Sequence, residues 1–148
     1  MRATVVFAIV LLAALTTPSS AQESRRYIDS SSVADSAALP FSGAVLVGNT
    51  LYLSGAIGLD QNQQVPATAE EEARNVMDRI KERVEAAGLS MDDLVSVQVF
   101  CSDVTHYDAF NGVYRTYFTG EFPARAFLGA GTLLFGARFE VQGIAVRR

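Results

Sequence analysis

Residues 68–101, TAEEEARNVMDRIKERVEAAGLSMDDLVSVQVFC, place a helix directly before a strand and so decide the fold. Thr68 supplies a hydroxyl that can cap a helix, with Glu71 three residues on as its capping-box partner, and Gly88 is typical of a helix C-terminus. Between these two ends the apolar residues recur at the helical period and form one stripe. The stripe consists of Ala69, Ala73, Val76, Met77, Ile80, Val84 and Ala87.

The charged residues of this helix fall into an acidic first turn and a solvated face. Glu70, Glu71 and Glu72 complement the positive end of the helix dipole. The solvated face is predicted to consist of Asp78, Arg79, Glu82 and Arg83.

The strand that follows, residues 94–101, alternates in the manner of a half-buried strand. Val95, Val97, Val99 and Cys101 are expected on one side, and Ser96, Gln98 and Phe100 on the other. Cys101 is the only cysteine of the chain, which excludes an internal disulfide. A small buried residue is favoured there over a reactive thiol.

A β-hairpin is predicted upstream of the helix. Residues 44–47 and 51–54 flank Gly48-Asn49, which tolerate the positive φ angles of a tight turn, and a loop is expected from Gly55 onward. Residues 22–39 are polar except around Tyr27, which indicates a tail or a first edge strand.

Downstream of the strand, aromatic residues spaced by three and four predict a second helix, from Tyr107 to Phe118. A core stripe is favoured over a stacking platform for these rings. His106 has neither a second histidine nor a cysteine at ligand spacing, so no metal site is expected. Residues 125–130 and 138–146 are predicted to be strands.

This order of elements predicts an α+β fold in one domain, residues 22–148, with two helices on one face of the sheet. The other face then needs a cover, because an exposed apolar sheet face is an association surface. Oligomerisation is therefore expected.

Residues 1–21 are predicted to be a cleaved signal peptide, because a basic start at Arg2 precedes an apolar run and a small-residue cleavage site. The alternative, a transmembrane anchor, is disfavoured because residues 5–15 are shorter than the roughly 20 residues that span a bilayer. We therefore expect a periplasmic or secreted protein without stable membrane insertion.

The charge balance argues against nucleic acid as a partner. Without Arg2 the chain has 11 basic residues, one fewer than the full 12, against 16 acidic ones, a formal net charge of −5. Affinity for phosphate backbones depends on clustered Lys and Arg, and here the basic residues are scattered among acids.

Short motifs follow one another along the chain, namely Pro40–Val45, Leu53–Gly55, Glu85–Gly88, Asp92–Val95, Val99-Phe100, Phe110-Asn111, Phe122–Arg125 and Phe139–Arg148. In this order and spacing they resemble the RidA/YjgF family of enamine/imine deaminases over nearly all of residues 22–148. The resemblance implies a chorismate-mutase-like fold with a mixed sheet of about six strands. It also implies a homotrimer with clefts between subunits, and no metal or organic cofactor.

The resemblance implies that Arg125 binds the substrate carboxylate, a role that suits a guanidinium because its planar fork of donors matches a carboxylate. The alternative is a structural ion pair with an acid such as Glu140. By the same resemblance, Glu140 acts with the water that attacks the imine carbon, and Ser54 and Gly55 line the pocket. An exposed strand acid, or a partner of Arg138, remains an open alternative for Glu140.

The chain departs from the best-known family members at four pocket positions. Phe41 replaces a tyrosine, Phe127 a cysteine, Ala56 a glutamine and Gly58 a proline. Losing the phenol removes a hydrogen-bond donor, and Phe127 makes the cleft narrower and more apolar. Phe41 and Phe127 are nonetheless expected to contact the substrate.

The leading functional hypothesis is hydrolytic deamination of reactive 2-imino and 2-enamine acids to 2-oxo acids, with release of ammonia. The alternative from another class is a secreted trimer that binds a small carboxylate metabolite without turnover. A third hypothesis, ribonuclease activity, is disfavoured by the acidic balance of the chain.

Overall fold

The computed structural model describes residues 24–29 and 39–148. The predicted signal peptide, residues 1–21, lies outside the described residues. Within those two ranges, no helix combines the length and the apolar character needed to cross a bilayer.

Six strands and two helices follow one another in the predicted order, and the α+β class is confirmed. The sheet order is β1-β2-β3-β6-β4-β5; β4 and β5 are parallel, and the other neighbours are antiparallel, so the sheet is mixed. The elements are β1 (Arg25–Ile28), β2 (Ala44–Val47), β3 (Thr50–Ile57), α1 (Ala69–Ala86), β4 (Leu94–Cys101), α2 (Tyr107–Tyr114), β5 (Ala124–Gly129) and β6 (Phe139–Val146).

The apolar stripe of α1 packs on the sheet as predicted, and all seven of its residues are buried. Burying a side chain as large as Val76, Met77, Ile80 or Val84 contributes about 1.5–3 kcal/mol, so these residues are a large part of what holds α1 in place. The Thr68 hydroxyl accepts a hydrogen bond from the Glu71 amide at 3.2 Å. Gly88 closes the helix with a φ of 77°.

The prediction that Arg79 and Arg83 lie on a solvated face is wrong. Arg79 donates to the carbonyl groups of Ile57 and Leu59, both at 2.9 Å, and Arg83 donates to that of Ser54 at 3.4 Å. These carbonyls need donors because β2 pairs with β3 only as far as Leu53. Asp78 and Glu82, in contrast, are exposed as predicted.

Glu72, in the acidic first turn of α1, is a fully buried carboxylate. It accepts hydrogen bonds from the backbone amides of Arg138 and Phe139, at 2.5 and 3.1 Å, and pairs with the Arg138 guanidinium at 2.8 Å. A charge in the core is tolerated only when it is paired and hydrogen-bonded. Glu72 therefore fixes the start of β6.

Two strands depart from the predicted pattern where the pairing register shifts. β3 continues to Ile57, so Gly55 lies inside it and not in the predicted loop, and Ser54 and Gly55 form a bulge. Another irregularity, between Leu94 and Ser96, turns Val95 outward, and its side chain is 47% exposed. Val97, Val99 and Cys101 are buried as predicted.

Cys101 is a buried strand residue, as favoured by the sequence. Its side chain has no exposed surface, and its sulfur contacts the carbonyl oxygen of Asp103 at 2.9 Å. Burial raises the pKa of this thiol above its usual value. A buried thiol that resists ionisation is a poor nucleophile.

The loop between α2 and β5 is tied to the start of β4 by Asp92. Its carboxylate accepts hydrogen bonds from the Thr119 hydroxyl, from the Thr119 amide at 2.9 Å and from the Gly120 amide at 3.4 Å. These bonds lower the pKa of Asp92. They also fix the segment that leads into Arg125.

The sheet face opposite the helices carries large apolar side chains. Tyr27, Tyr52, Val95 and Leu128 are between 43% and 51% exposed on this open face. No element of the described chain covers them. The face has the character of the association surface that the element order predicts.

Candidate active site

Arg125 lies on the helix-covered face of the sheet, because it pairs with the buried Val97 of β4. Its Nη2 atom donates to Oδ1 of Asn111 on α2 at 2.7 Å. The guanidinium carbon also lies 4.5 Å from the centroid of the Tyr114 ring. An amide and an aromatic ring therefore orient the guanidinium before any ligand binds.

The guanidinium of Arg125 opens onto a cavity of about 190 Å³, which we call the arginine cavity. Its lining contains no acidic residue, and no salt bridge of the described residues involves Arg125. The alternative of an ion pair with Glu140 is therefore not what the structure shows. The lining residues are Asn111, Tyr114, Arg115, Phe122, Pro123 and Arg125.

Phe127 lies beside the arginine cavity but does not line it. Its ring packs edge to face against Tyr107 and Phe110, with centroids 5.0 and 5.6 Å apart. The Arg125 guanidinium is 6.0 Å from the same ring. Phe127 thus supports the arginine from the core side.

Tyr114 forms a wall of the arginine cavity and is 3% exposed. Its hydroxyl oxygen is buried and has no hydrogen-bond partner within the described part of the chain. Burial raises the pKa of Tyr114 to about 12, although the nearby Arg125 opposes this shift. The hydroxyl therefore keeps its proton at neutral pH and can act as a donor.

Glu140 faces a second cavity, of about 630 Å³, which we call the glutamate cavity. Phe41, Ser54, Gly55, Arg79, Arg83 and Phe135 are among the residues that line it. A Cβ at position 55 would overlap the Glu140 carboxylate, so a larger residue there would displace that side chain. The Ser54 hydroxyl is already engaged, since it donates to the carbonyl of Ser42 at 2.6 Å.

The structure brings Phe41, Ser54, Gly55 and Glu140 together, but it places Arg125 elsewhere. Arg125 pairs with Val97 and Glu140 pairs with Phe100, three residues farther along β4. Successive side chains of a strand point to opposite faces, so Arg125 and Glu140 lie on opposite faces of the sheet. Within one protomer the two side chains therefore face different cavities.

The alternative that pairs Glu140 with Arg138 is excluded by the position of Arg138, which binds Glu72 instead. The sequence pattern predicts no site role for Asn111 or Tyr114, although their spacing of three residues places them on one face of a helix. The pattern also predicts that Arg79 and Arg83 are solvated, although their spacing of four residues aligns them beside the apolar stripe.

The described residues contain no group of three or more His, Cys, Asp or Glu side chains arranged to hold a metal ion. His106, at the start of α2, packs against the ring of Phe139 with centroids 6.1 Å apart.

Comparison with known proteins gives consistent results. A family model described as Endoribonuclease L-PSP matches residues 32–147. The 2-iminobutanoate/2-iminopropanoate deaminase of Capra hircus is 40% identical over 124 residues, which cover 82% of this chain and 90% of the goat protein. The corresponding human protein is 35% identical over 124 residues, with the same two coverages.

Solved structures agree with these sequence matches. The YjgF gene product of E. coli superposes with a TM-score of 0.70 at 35% identity, covering 74% of this chain and 89% of that protein. E. coli TdcF with bound serine gives a TM-score of 0.71 at 30% identity, covering 75% and 91%. On its sequence, its sheet order and these similarities, the chain belongs to the RidA/YjgF family.

Proposed function

We propose that this protein hydrolyses reactive 2-imino and 2-enamine acids to 2-oxo acids and ammonia. The observation that carries the proposal is the Arg125 guanidinium, which is oriented toward a cavity and has no acidic partner among the described residues. Relatives up to 40% identical that are named 2-iminobutanoate/2-iminopropanoate deaminase support the choice of reaction.

Arg125 is proposed to bind the substrate carboxylate. Asn111 engages Nη2 through its amide oxygen, so the guanidinium is held without being neutralised. The remaining N–H groups can grip a carboxylate in a bidentate manner, a geometry that lysine cannot reproduce. The bound serine of the relative TdcF is also a small molecule that carries a carboxylate.

Glu140 is proposed to position the attacking water and to manage its protons. The reacting species is the protonated imine. The water oxygen bonds to the imine carbon while the C=N π electrons move to nitrogen, and the carboxylate accepts a proton from the water. That proton then passes to the amine nitrogen of the carbinolamine. The C–N bond breaks, ammonia leaves, the oxygen lone pair forms the C=O bond of the 2-oxo acid, and the hydroxyl proton returns to the Glu140 carboxylate. No oxidant or reductant is required.

Both residues can act on one substrate only if two protomers contribute to each site, because within one protomer they lie on opposite faces of the sheet. We propose a homotrimer in which Arg125 of one protomer faces Glu140 of the next. The exposed apolar side chains of the open face supply the association surface. Multi-angle light scattering is expected to give three times the protomer mass, and a monomer at micromolar concentration would contradict the proposal.

The activity itself is tested by coupling an amino acid oxidase, which generates 2-imino acids, to a semicarbazide trap. Addition of the protein is expected to reduce semicarbazone formation from the imine, because hydrolysis competes with trapping. The Lys81→Ala variant is a suitable control, since Lys81 is an exposed residue of α1 outside both cavities. An unchanged trapping rate with the wild-type protein would refute the deaminase proposal.

A second candidate, binding of a small carboxylate without turnover, is favoured by the lining of the glutamate cavity. Phe41 lies there, 48% exposed, and offers no hydrogen-bond donor. The proposed export through residues 1–21 points the same way, because reactive enamines arise chiefly in the cytoplasm. Tight binding of a 2-oxo acid in calorimetry, without imine hydrolysis, would favour this candidate.

A further inference from the structure

The polar side chains of the arginine cavity present hydrogen-bond donors and no carboxylate. Arg115 and Arg125 are cations, and the Tyr114 hydroxyl has no partner in the described chain. Asn111 uses its amide oxygen to accept from Arg125, which leaves its NH₂ group to donate. Such a cavity favours an anionic ligand that is rich in acceptors.

The charge of the cavity is opposite to that of the protein. Two guanidinium groups line it, whereas the whole chain has a formal net charge of −4. Neither Arg115 nor Arg125 forms a salt bridge with any acid in residues 24–29 or 39–148. Two uncompensated positive charges are matched by a ligand with two negative charges better than by one with a single charge.

The positive charges of Arg115 and Arg125 lie at separate positions, which favours a dianion whose two negative groups are also apart. Arg125 packs on the ring of Tyr114 at 4.5 Å, and Arg115 packs on the ring of Phe122 at 5.8 Å. These two rings are themselves stacked, with centroids 6.3 Å apart. Because each guanidinium packs on a different ring, a ligand that reaches both must carry its negative groups at separate positions.

We propose that the arginine cavity selects dicarboxylic substrates, that is, 2-imino or 2-oxo acids with a second carboxylate on the side chain. The inference rests on the proposed function and names the substrate class of the same site. Arg125 binds the carboxylate next to the reacting carbon, and Arg115 binds the distal carboxylate. The cavity has room for about six waters at about 30 Å³ each, which accommodates such a short chain.

The test compares 2-oxoglutarate with 2-oxopentanoate by calorimetry, because these acids have the same number of carbons and differ in the second carboxylate. The wild-type protein is expected to bind 2-oxoglutarate at least tenfold more tightly. In the Arg115→Gln variant this preference is expected to fall to about twofold or less.

Arg74→Gln is the matched control, because Arg74 is an exposed arginine of α1 outside the cavity and its loss changes the net charge equally. Equal affinities for the two acids in the wild-type protein would overturn the inference. The inference would also be overturned if Arg74→Gln lost as much of the preference for 2-oxoglutarate as Arg115→Gln does. That result would indicate that the preference depends only on the net charge of the protein. If the protein hydrolyses imines but shows no preference for dicarboxylates, this inference fails and the deaminase proposal stands. If it prefers dicarboxylates but does not hydrolyse imines, the deaminase proposal fails and the binding preference stands.

Discussion

Replacing Arg125 with alanine is expected to lower kcat/KM for 2-imino acids by about 30-fold to 4,000-fold. Truncating one partner of a hydrogen-bonded charge pair costs about 2–5 kcal/mol, and about 1.4 kcal/mol corresponds to a factor of ten. Arg125→Lys is expected to recover only part of the loss, because it restores the charge but not the planar fork. Steady-state kinetics in the semicarbazide assay measures both variants.

The controls separate binding from folding. Arg125 is packed on Tyr114 and bonded to Asn111, so its loss also removes packing. Circular dichroism and melting temperature show whether each variant still folds, and Arg74→Ala controls for the change in net charge. Wild-type kinetics in a folded Arg125→Ala protein would exclude this residue as the carboxylate anchor.

Mixing two inactive variants tests whether the site is shared between protomers. If the proposed shared site is correct, neither Arg125→Ala nor Glu140→Ala alone has a complete site. A trimer assembled at random from both has some interfaces where the intact Arg125 meets the intact Glu140. With head-to-tail interfaces this arrangement occurs at about one interface in four, so about a quarter of wild-type activity is expected after co-refolding. No recovery from two variants that are both trimeric would contradict a shared site.

The elements of this fold follow from local patterns that the sequence displays openly. Residues 68–88 carry a helical stripe between two capping residues, and residues 44–54 carry a turn between two apolar runs. Glu140 alternates against Phe139 and Val141, which correctly predicts that it points away from the core. Patterns of this kind depend only on residues that are near one another in the chain.

The positions that the sequence did not reveal depend on strand register. Val95 appeared to continue the alternation of Val97, but a one-residue irregularity turned it outward. In the same way, the opposite orientations of Arg125 and Glu140 follow from their partners on β4. The residue pattern of β5 alone does not predict these orientations. A slip of one residue moves a side chain to the other face, so register must be known before a site can be assembled.

The sequence also did not reveal the positions of charged residues whose partners are distant in sequence. Arg79 and Arg83 donate hydrogen bonds to the unpaired carbonyls at the end of β3. Glu72 accepts a hydrogen bond at the start of β6 from the amide of Arg138, which is 66 residues farther along the chain. From the sequence alone, a charge on a helix is more often solvated than buried. Only the folded chain shows which backbone groups lack hydrogen-bond partners in the sheet, and therefore which charged side chains bind to them.

Replacing Glu72 with alanine is expected to lower the free energy of unfolding by about 3–5 kcal/mol, because removing one partner of a buried pair leaves an uncompensated charge. The Arg138 guanidinium and two backbone amides would lose their acceptor. Since folded proteins are stable by only about 5–15 kcal/mol, this is a large share of the total. Equilibrium urea unfolding at a fixed protomer concentration measures it.

Two further variants sharpen this test. Glu72→Gln keeps an oxygen acceptor and is expected to cost less than Glu72→Ala, while Glu70→Ala, at an exposed site two residues earlier, is expected to change stability by no more than about 0.5 kcal/mol. Because Glu72 fixes the start of β6, Glu72→Ala is also expected to reduce imine hydrolysis at temperatures where the protein remains folded, through displacement of Glu140. If Glu72→Ala and Glu70→Ala unfold at the same urea concentration, the buried pair does not stabilise the fold, and Glu140 must be positioned by β3 and β4 alone.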